Sequence, residues 1–375
     1  MKIAVLISGG VDSSVALRLL VDAGHDVTAF YLKIWLEDEL AYLGNCPWEE
    51  DLKVVRSVCE RAGVPLEVVS LQKEYWDEVI EYTLKEVKAG RTPNPDMLCN
   101  QRIKFGAFYD KISPEFEKVA TGHYARSEAE CAERADAENG PIFQLLKSPD
   151  PIKDQTYFLA HLSQEQLRRA LFPLGQYTKA EVRELAHRFN LPNADRKDSQ
   201  GLCFLGKINF NDFLRHHLGE KAGDLIEVET GKKVGEHRGF WYYTLGQREG
   251  LGLAGGPWYV VRKDPSANTV FISREYHAKE KRRDTIRVEK LSWIAGKPPK
   301  GARVGKTLAL NVKVRHGSKE YGAKVHFETP DNGSTIPTFA TVTLDQSDQG
   351  LAPGQFVVFY DGEVCLGCGV MAEIA

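Results

Sequence analysis

The chain has 375 residues, more than one ordinary core accommodates and suited to two or three domains. Its 42% hydrophobic and 27% charged residues describe a soluble globular protein, and no run approaches the ~20 apolar residues of a membrane span. A net charge of -3 gives no global basic surface, so any RNA partner would have to be held by local patches.

The seven cysteines, at 46, 59, 99, 131, 203, 365 and 368, are odd in number and scattered, unlike a secreted disulfide framework. No basic or Arg/Ser-rich leader precedes the first strand, which points to the cytoplasm, or to an organelle if a transit peptide has been removed.

Residues 2–7 are an apolar, β-branched run that predicts a buried parallel strand, and residues 11–23 carry Val11, Val15, Leu19 and Leu20 at helical spacing. The turn between them is Ser8-Gly9-Gly10-Val11-Asp12-Ser13-Ser14. Its glycines let the backbone approach an anion, its serines offer hydroxyls, and the new helix aims unpaired N–H groups at the same spot. A nucleotide phosphate is expected there. The string lacks the Gly-Lys-Ser/Thr of a Walker A loop and resembles instead the PP-loop of the ATP pyrophosphatases. That class includes GMP synthetase, argininosuccinate synthetase and tRNA thiolases, so the loop alone leaves the substrate open.

Residues 26–32 predict a second strand, 49–62 a helix with Leu52, Val55, Val58 and Cys59 inward, and 66–70 a third strand. A long helix over 73–89 and a fourth strand over 118–122, ending beside His123, continue the alternation. The pattern is that of a doubly wound parallel sheet with ligands at the carboxyl ends of its strands. Residues 127–140 read as a polar surface excursion containing Cys131, and 164–171 and 179–189 as short helices. After about Asn209 glycine and aromatic residues become dense, with β runs at 240–244, 258–261 and 269–272. Strands at 308–314, 322–327, 338–344 and 355–359 then predict a closed barrel. The expected fold is therefore an α/β catalytic domain with a Rossmann-like sheet (1–208), a small β-rich central domain (209–280) and a C-terminal β-barrel (281–375).

Two cysteines stand in suggestive settings. In Pro93-Asn94-Pro95-Asp96-Met97-Leu98-Cys99-Asn100, Pro95 suits a helix entry and Asp96 an N-cap, which puts Cys99 in a first turn where the dipole favours a thiolate. Cys203 lies in Asp198-Ser-Gln-Gly-Leu-Cys203-Phe-Leu-Gly206, a Gly-containing connection. By residue type alone, either is a nucleophile or a small buried residue. Gly250-Leu-Gly-Leu-Ala-Gly255 and Gly301-Ala-Arg-Val-Gly-Lys-Thr307 imitate nucleotide motifs but lead into β runs and read as turns.

Taken together, SGGVDSS, Asn94-Pro-Asp-x-x-Cys-Asn, ATGHYAR (120–126), KDQTYFL (153–159), DSQGLCFLG (198–206), TLGQR (244–248) and PGQ (353–355) resemble, over nearly the whole chain, the tRNA-specific 2-thiouridylase family. The resemblance implies that Ile7, Ser8, Gly9, Gly10, Val11, Asp12, Ser13 and Ser14 bind ATP with Mg2+, and that Leu32 and Gly122 line the adenine. It implies that Asn94, Pro95 and Asp96 meet the target base, and that His123, Lys153, Asp154, Gln155, Arg315, His316 and Gln355 touch tRNA. Cys99 becomes the nucleophile, Cys203 the persulfide carrier, the two closing a redox disulfide, and Asp96 an acid/base or orienting group. The implied partners are tRNAs for Lys, Glu and Gln and a persulfide-carrying sulfur donor, with no membrane and no structural metal.

Three positions depart from the family pattern: Leu32 where Met is usual, His316 where Tyr is usual, and Cys368 where Gly is usual. The last creates a lone Cys365-x-x-Cys368, expected at the surface or a barrel end and lacking the second pair a tetrahedral zinc site needs. The basic run 279–283 suits either phosphate backbone or a solvated hinge.

Overall fold

The computed structural model describes residues 1–34, 48–129, 141–198, 209–275, 283–329 and 336–374. Cys46, Cys131, Cys203 and most of the basic run at 279–283 lie outside these residues.

The N-terminal strands are β1 (Lys2–Leu6), β2 (Asp26–Lys33), β3 (Leu66–Ser70) and β4 (Lys118–Ala120). Between them run α1 (Val11–Asp22), α2 (Trp48–Ala62) and two composite helical runs, α3 over 72–88 and α4 over 95–111. A hairpin of β5 (Arg126–Ala129) and β6 (Phe143–Leu146) follows, then α5 (Thr156–Leu159), α6 (Gln164–Arg169), β7 (Ala170–Leu171) and α7 (Lys179–Arg188). The expected helix over 164–171 stops at Arg169 because Ala170 and Leu171 pair in parallel with β4 as the sheet's last strand. The start of the expected surface excursion at 127–140 is likewise ordered as β5, paired antiparallel with β6.

The sheet order is β3-β2-β1-β4-β7, and β1 pairs in parallel with both β2 and β4. Its unbroken apolar sequence follows from burial on both faces. Ile3, Val5 and Ile7 pack with Leu17, Leu52 and Val55, while Ala4 and Leu6 join the opposite cluster with Phe30, Val79 and Ile103. The chain runs outward from β1 to β3 and then returns to β4 on β1's other side, so the switch point of the sheet lies between β1 and β4. Ligands of such sheets bind in the crevice at that place.

Helix α8 (Phe210–Leu218) leads into a central sheet of β8 (Gly223–Glu227), β9 (Lys233–His237), β10 (Tyr259–Asp264) and β11 (Thr269–Ser273), in the order β10-β11-β8-β9. The expected β run at 240–244 is instead a single 3-10 turn, Phe240–Tyr242, entered through Gly239 at φ +143. That backbone angle breaks the alternation the aromatic residues suggest.

The C-terminal strands are β12 (Thr285–Trp293), β13 (Thr307–Lys313), β14 (Tyr321–Glu328), β15 (Phe339–Leu344), β16 (Phe356–Asp361) and β17 (Val364–Ile374). They run in the order β12-β15-β14-β13-β16-β17, and β12 pairs back onto β17 to close the barrel. Alternation is clean in β14, where Tyr321, Ala323, Val325 and Phe327 point inward. It fails in β16, because Val357 and Phe359 face the barrel core while Phe356, Val358 and Tyr360 join the core of the catalytic domain. Hairpin β5–β6 extends the barrel sheet through Leu145 opposite Cys365. Cys365 and Cys368 are 2% and 0% exposed, not at the surface, because β17 is covered on this side by the catalytic domain. Burial raises the thiol pKa of both above the ordinary range.

Candidate functional site at the sheet switch point

The loop after β1 is built as the sequence predicts. Gly9 has φ +77, and Gly10 is the N-cap of α1 without using a side chain, leaving the first N–H groups of the helix to an incoming group. The Ser13 hydroxyl accepts from Ser8 N at 3.2 Å, and the Ser13 and Ser14 hydroxyls donate to Gly10 O at 3.2 and 2.9 Å. Ser13 and Ser14 therefore stiffen the loop, while Ser8 remains exposed at its rim. Ile7 and Val11 anchor the two ends in the core at 3% and 4% exposure. Gly122, after β4, faces this loop across the switch point. A Cβ there would sit 2.7 Å from Ser13 N, so only glycine permits the approach. Leu32 lies near the end of the neighbouring strand β2, half-buried.

Residues that the motif reading missed complete the loop. Asn193 Nδ2 donates to Gly9 O at 2.9 Å and to the Ser14 hydroxyl at 3.0 Å. Arg196 donates to Gly9 O at 3.1 Å and pairs with Asp51 of α2. Lys179 Nζ lies 2.7 Å from Asp12 Oδ1 and 2.8 Å from Asp198 Oδ1, and Tyr124 OH donates to the same Asp12 oxygen at 2.9 Å. Lys153 and Arg183 also reach Asp198, at 2.7 and 2.6 Å. Burial opposes charge on Asp198, but hydrogen bonds from Lys153 and Lys179 outweigh it and hold the carboxyl down at about 2. The sequence did carry one signal. Thr178 and Glu181 form a capping box, which puts Lys179 in the first turn of α7, where the helix dipole disfavours a cation. A lysine there needs acids nearby, and Asp12 and Asp198 supply them.

The Cys99 segment packs on one face of the sheet, in the cluster that holds Ala4, Leu6 and Val119. The helical run begins with Pro95–Leu98, and Asn94 is its N-cap, its side chain accepting from Met97 N at 3.2 Å. This corrects the expectation for Asp96, which sits inside the first turn one residue after Pro95. Cys99 is 1% exposed and starts a π-helical stretch, Cys99–Ala107, after one α-turn. Asn100 anchors the stretch by donating to Phe158 O at 3.2 Å, and Lys104 donates to Asn100 Oδ1 at 2.9 Å. His123 reaches Thr121 Oγ1 at 2.8 Å and packs edgewise on Phe172. Burial, helped by the charge of Lys104, keeps the imidazole neutral well below its ordinary pKa.

The remaining expected tRNA contacts divide by burial. Asp154 is 1% exposed and engaged by Lys313, Thr156 and Ser148 N, so it belongs to the domain junction. Gln155 accepts from Tyr124 N at 3.0 Å. Gln355 donates to Thr92 O at 3.1 Å and Pro93 O at 2.8 Å, so a barrel residue grips the segment that enters the Cys99 helix. Arg315 is half exposed and pairs with Asp348, and the His316 ring lies on Phe158 at 4.7 Å between centroids. Lys153, Arg315 and His316 are open to solvent in part. Cys203, with residues 199–208, lies outside the described residues. Among the described residues no cluster of His, Cys, Asp or Glu is arranged to hold a metal by itself, and no helix is long and apolar enough to cross a membrane.

Comparison with known proteins agrees with this layout. Residues 1–207 match the family model described as the tRNA methyl transferase HUP domain, 211–274 its PRC-barrel domain, and 283–371 an aminomethyltransferase beta-barrel domain. The tRNA-specific 2-thiouridylase MnmA of Parabacteroides distasonis is 42% identical over 375 residues, spanning 100% of this chain and 99% of the relative. MnmA 1 of Bacteroides thetaiotaomicron is 44% identical over 371 residues and MnmA 2 of Bacteroides fragilis 45% over 373, each spanning 98% of this chain and 99% of the relative. The family models together span nearly the whole chain and these relatives match it end to end, so the chain belongs to the tRNA-specific 2-thiouridylase (MnmA) family.

Proposed function

We propose that this chain 2-thiolates the wobble uridine of tRNA at the expense of ATP. The observation that carries the reading is the close approach of Gly122 to the start of α1, where an added Cβ would lie 2.7 Å from Ser13 N: the strand end that leads to His123 abuts the phosphate loop, so nucleotide and target share one crevice.

A uracil C2 carbonyl is a poor electrophile, and its oxygen must first become a leaving group. The C2 oxygen attacks the α-phosphorus of ATP and pyrophosphate departs. The N–H groups at the start of α1 and the cations Lys179 and Arg196 are the groups within reach of the phosphates. Asp12, at the start of α1, is the carboxylate that would hold Mg2+, and the ion would supply charge neutralisation there. Asn94, Pro95 and Asp96 hold the flipped base against the Cys99 helix. Cys203 brings sulfur as a persulfide. Its terminal sulfur attacks C2 and displaces AMP, and Cys99 then attacks the Cys203 sulfur to free the thiolated base; or Cys99 attacks the Cys203 sulfur first and releases hydrosulfide, which attacks C2 and displaces AMP. In both routes the two thiols finish as a disulfide that a reductant must reopen. Lysine, glutamate and glutamine tRNAs are the expected substrates, a persulfide-bearing protein the donor, and the cytoplasm the compartment.

The test is 2-thiouridine formation on a wobble-uridine tRNA with ATP, Mg2+ and a small-molecule persulfide (glutathione persulfide) as sulfur donor, read by mass spectrometry for the wild type, Cys99→Ser and Cys203→Ser. With the persulfide donor, product from the wild type and at least a hundredfold loss in both variants are expected, and free sulfide in its place should restore product to both, because it attacks C2 without either thiol. AMP release on a small acceptor with no thiolated tRNA would favour a different PP-loop adenylating enzyme.

A further inference from the structure

The helical run beyond Cys99 is wider than an α-helix. Over Cys99–Ala107 the backbone bonds span five residues, as Phe108 N shows by reaching Ile103 O. Such turns are rare, usually brief, and collect at functional sites. A stretch of nine residues needs something to hold it open.

Gln166 of α6 does so. Its one Nε2 donates to Gln101 O at 2.8 Å and to Phe105 O at 2.9 Å, two carbonyls within the wide turn. The amide is itself fixed in place. Its Oε1 accepts from Ser163 N at 3.0 Å, its backbone N–H donates to Ser163 Oγ at 3.2 Å, and its carbonyl accepts from Tyr109 OH at 3.2 Å. Gly106 completes the fit, since a Cβ there would lie 2.9 Å from Gln101 O.

Resting on the reading of Cys99 as the nucleophile, we propose that Gln166 is a positioning residue for sulfur transfer: it braces the wide turn that begins at Cys99 and so sets the direction of the thiol. If the stretch slipped back by one residue to α geometry, Cys99 would swing by roughly 100° about the helix axis relative to the residues after 107. A reacting group turned that far leaves the attack line.

Gln166→Glu separates this bracing from ordinary helix capping, because it keeps the acceptor for Ser163 N and loses both donors. Full-length wild type and Gln166→Glu are compared for melting temperature, iodoacetamide labelling of Cys99 located by peptide mass spectrometry, and kcat and KM for thiolation with glutathione persulfide as sulfur donor. The expected result is a melting temperature within a few degrees of wild type, at least a threefold change in Cys99 labelling, at least a tenfold fall in kcat, and a KM for tRNA within twofold. Unchanged Cys99 labelling would overturn the inference. Cys99→Ser is run beside it. If that variant is inactive while Gln166→Glu keeps wild-type kcat, the bracing role fails alone. If Cys99→Ser makes product at the wild-type rate, the nucleophile reading fails instead, and the catalytic role of Gln166 with it. Should the new charge unfold the chain, Gln166→Met removes the donors without charge, though it also loses the acceptor for Ser163 N, and unchanged Cys99 labelling in it would equally overturn the inference.

Discussion

Lys313 Nζ of the barrel lies 2.7 Å from Asp154 Oδ2 of the catalytic domain, and the two side chains are only 4% and 1% exposed. Thr156 Oγ1 at 2.9 Å and Ser148 N at 3.3 Å satisfy the rest of the carboxylate. A pair sealed this well ties the two domains into one body, with β16 contributing side chains to both cores. Removing one partner strands a buried charge, which typically costs about 3–5 kcal/mol. Lys313→Met is therefore expected to destabilise the folded chain by about 3 kcal/mol in urea denaturation, and adding Asp154→Leu should recover much of it. A single-variant loss under about 1 kcal/mol would mean that water reaches Asp154.

Asp198 gives a pH dependence of known sign. Burial raises its pKa, but Lys153 and Lys179 more than compensate, so the folded value falls from 3.8 to about 2. A carboxyl depressed on folding contributes stability that is complete above roughly pH 5 and fades as the pH falls from about 4 to 2. Discounted for partial exposure, the contribution at pH 7 is roughly 1–2 kcal/mol. Asp198→Asn should thus be less stable than wild type at pH 7, and the two should converge near pH 2–3 in a pH series of denaturation curves. A gap that stays constant down to that pH would show that the carboxylate's charge contributes nothing.

The parts legible in the sequence are those where local pattern and tertiary setting agree. The run 2–7, the turn at Ser8 to Ser14 and the helix after it fold as their residue types dictate, because each is specified by neighbours along the chain. Beyond that range the sequence reading loses hold. Strands β12 and β17, which close the barrel, escaped it because a bulge between Glu289 and Ser292 and the glycines of β17 break the alternation. Asn193, Arg196 and Lys179 touch the phosphate loop from more than 160 residues away, and no local periodicity encodes that. Asp96 looked like a cap because its side chain suits one, but Pro95 at the first helical position hands the cap to Asn94.

Gln355 offers a separate prediction about communication between barrel and catalytic domain. Its amide holds Thr92 O and Pro93 O, Pro353 O accepts from Thr92 N at 2.8 Å, and Gly354 at φ +92 lets the strand approach Arg91 closely. Gln355→Glu cannot donate to either carbonyl and is expected to lower kcat for thiolation by about tenfold, through loss of about 1.4 kcal/mol of positioning energy. A change confined to KM for tRNA would instead assign Gln355 to direct RNA contact.

Gly122 tests the crevice itself. An alanine Cβ there would meet Ser13 N at 2.7 Å, Asp12 C at 2.9 Å and Ser13 Cα at 3.0 Å, all backbone atoms at the start of α1 that cannot swing away like a side chain. The loop must move or β4 must shift, and such overpacking typically costs about 1–3 kcal/mol. Because the displaced atoms are those expected to face the phosphates, Gly122→Ala should raise KM for ATP by at least about tenfold while the KM for tRNA changes less. Isothermal titration with a non-hydrolysable ATP analogue, which needs no turnover, should show the same loss. Unaltered nucleotide affinity in a stably folded Gly122→Ala would separate the nucleotide from the β1–β4 switch point and remove the geometric basis for placing it beside the Cys99 helix.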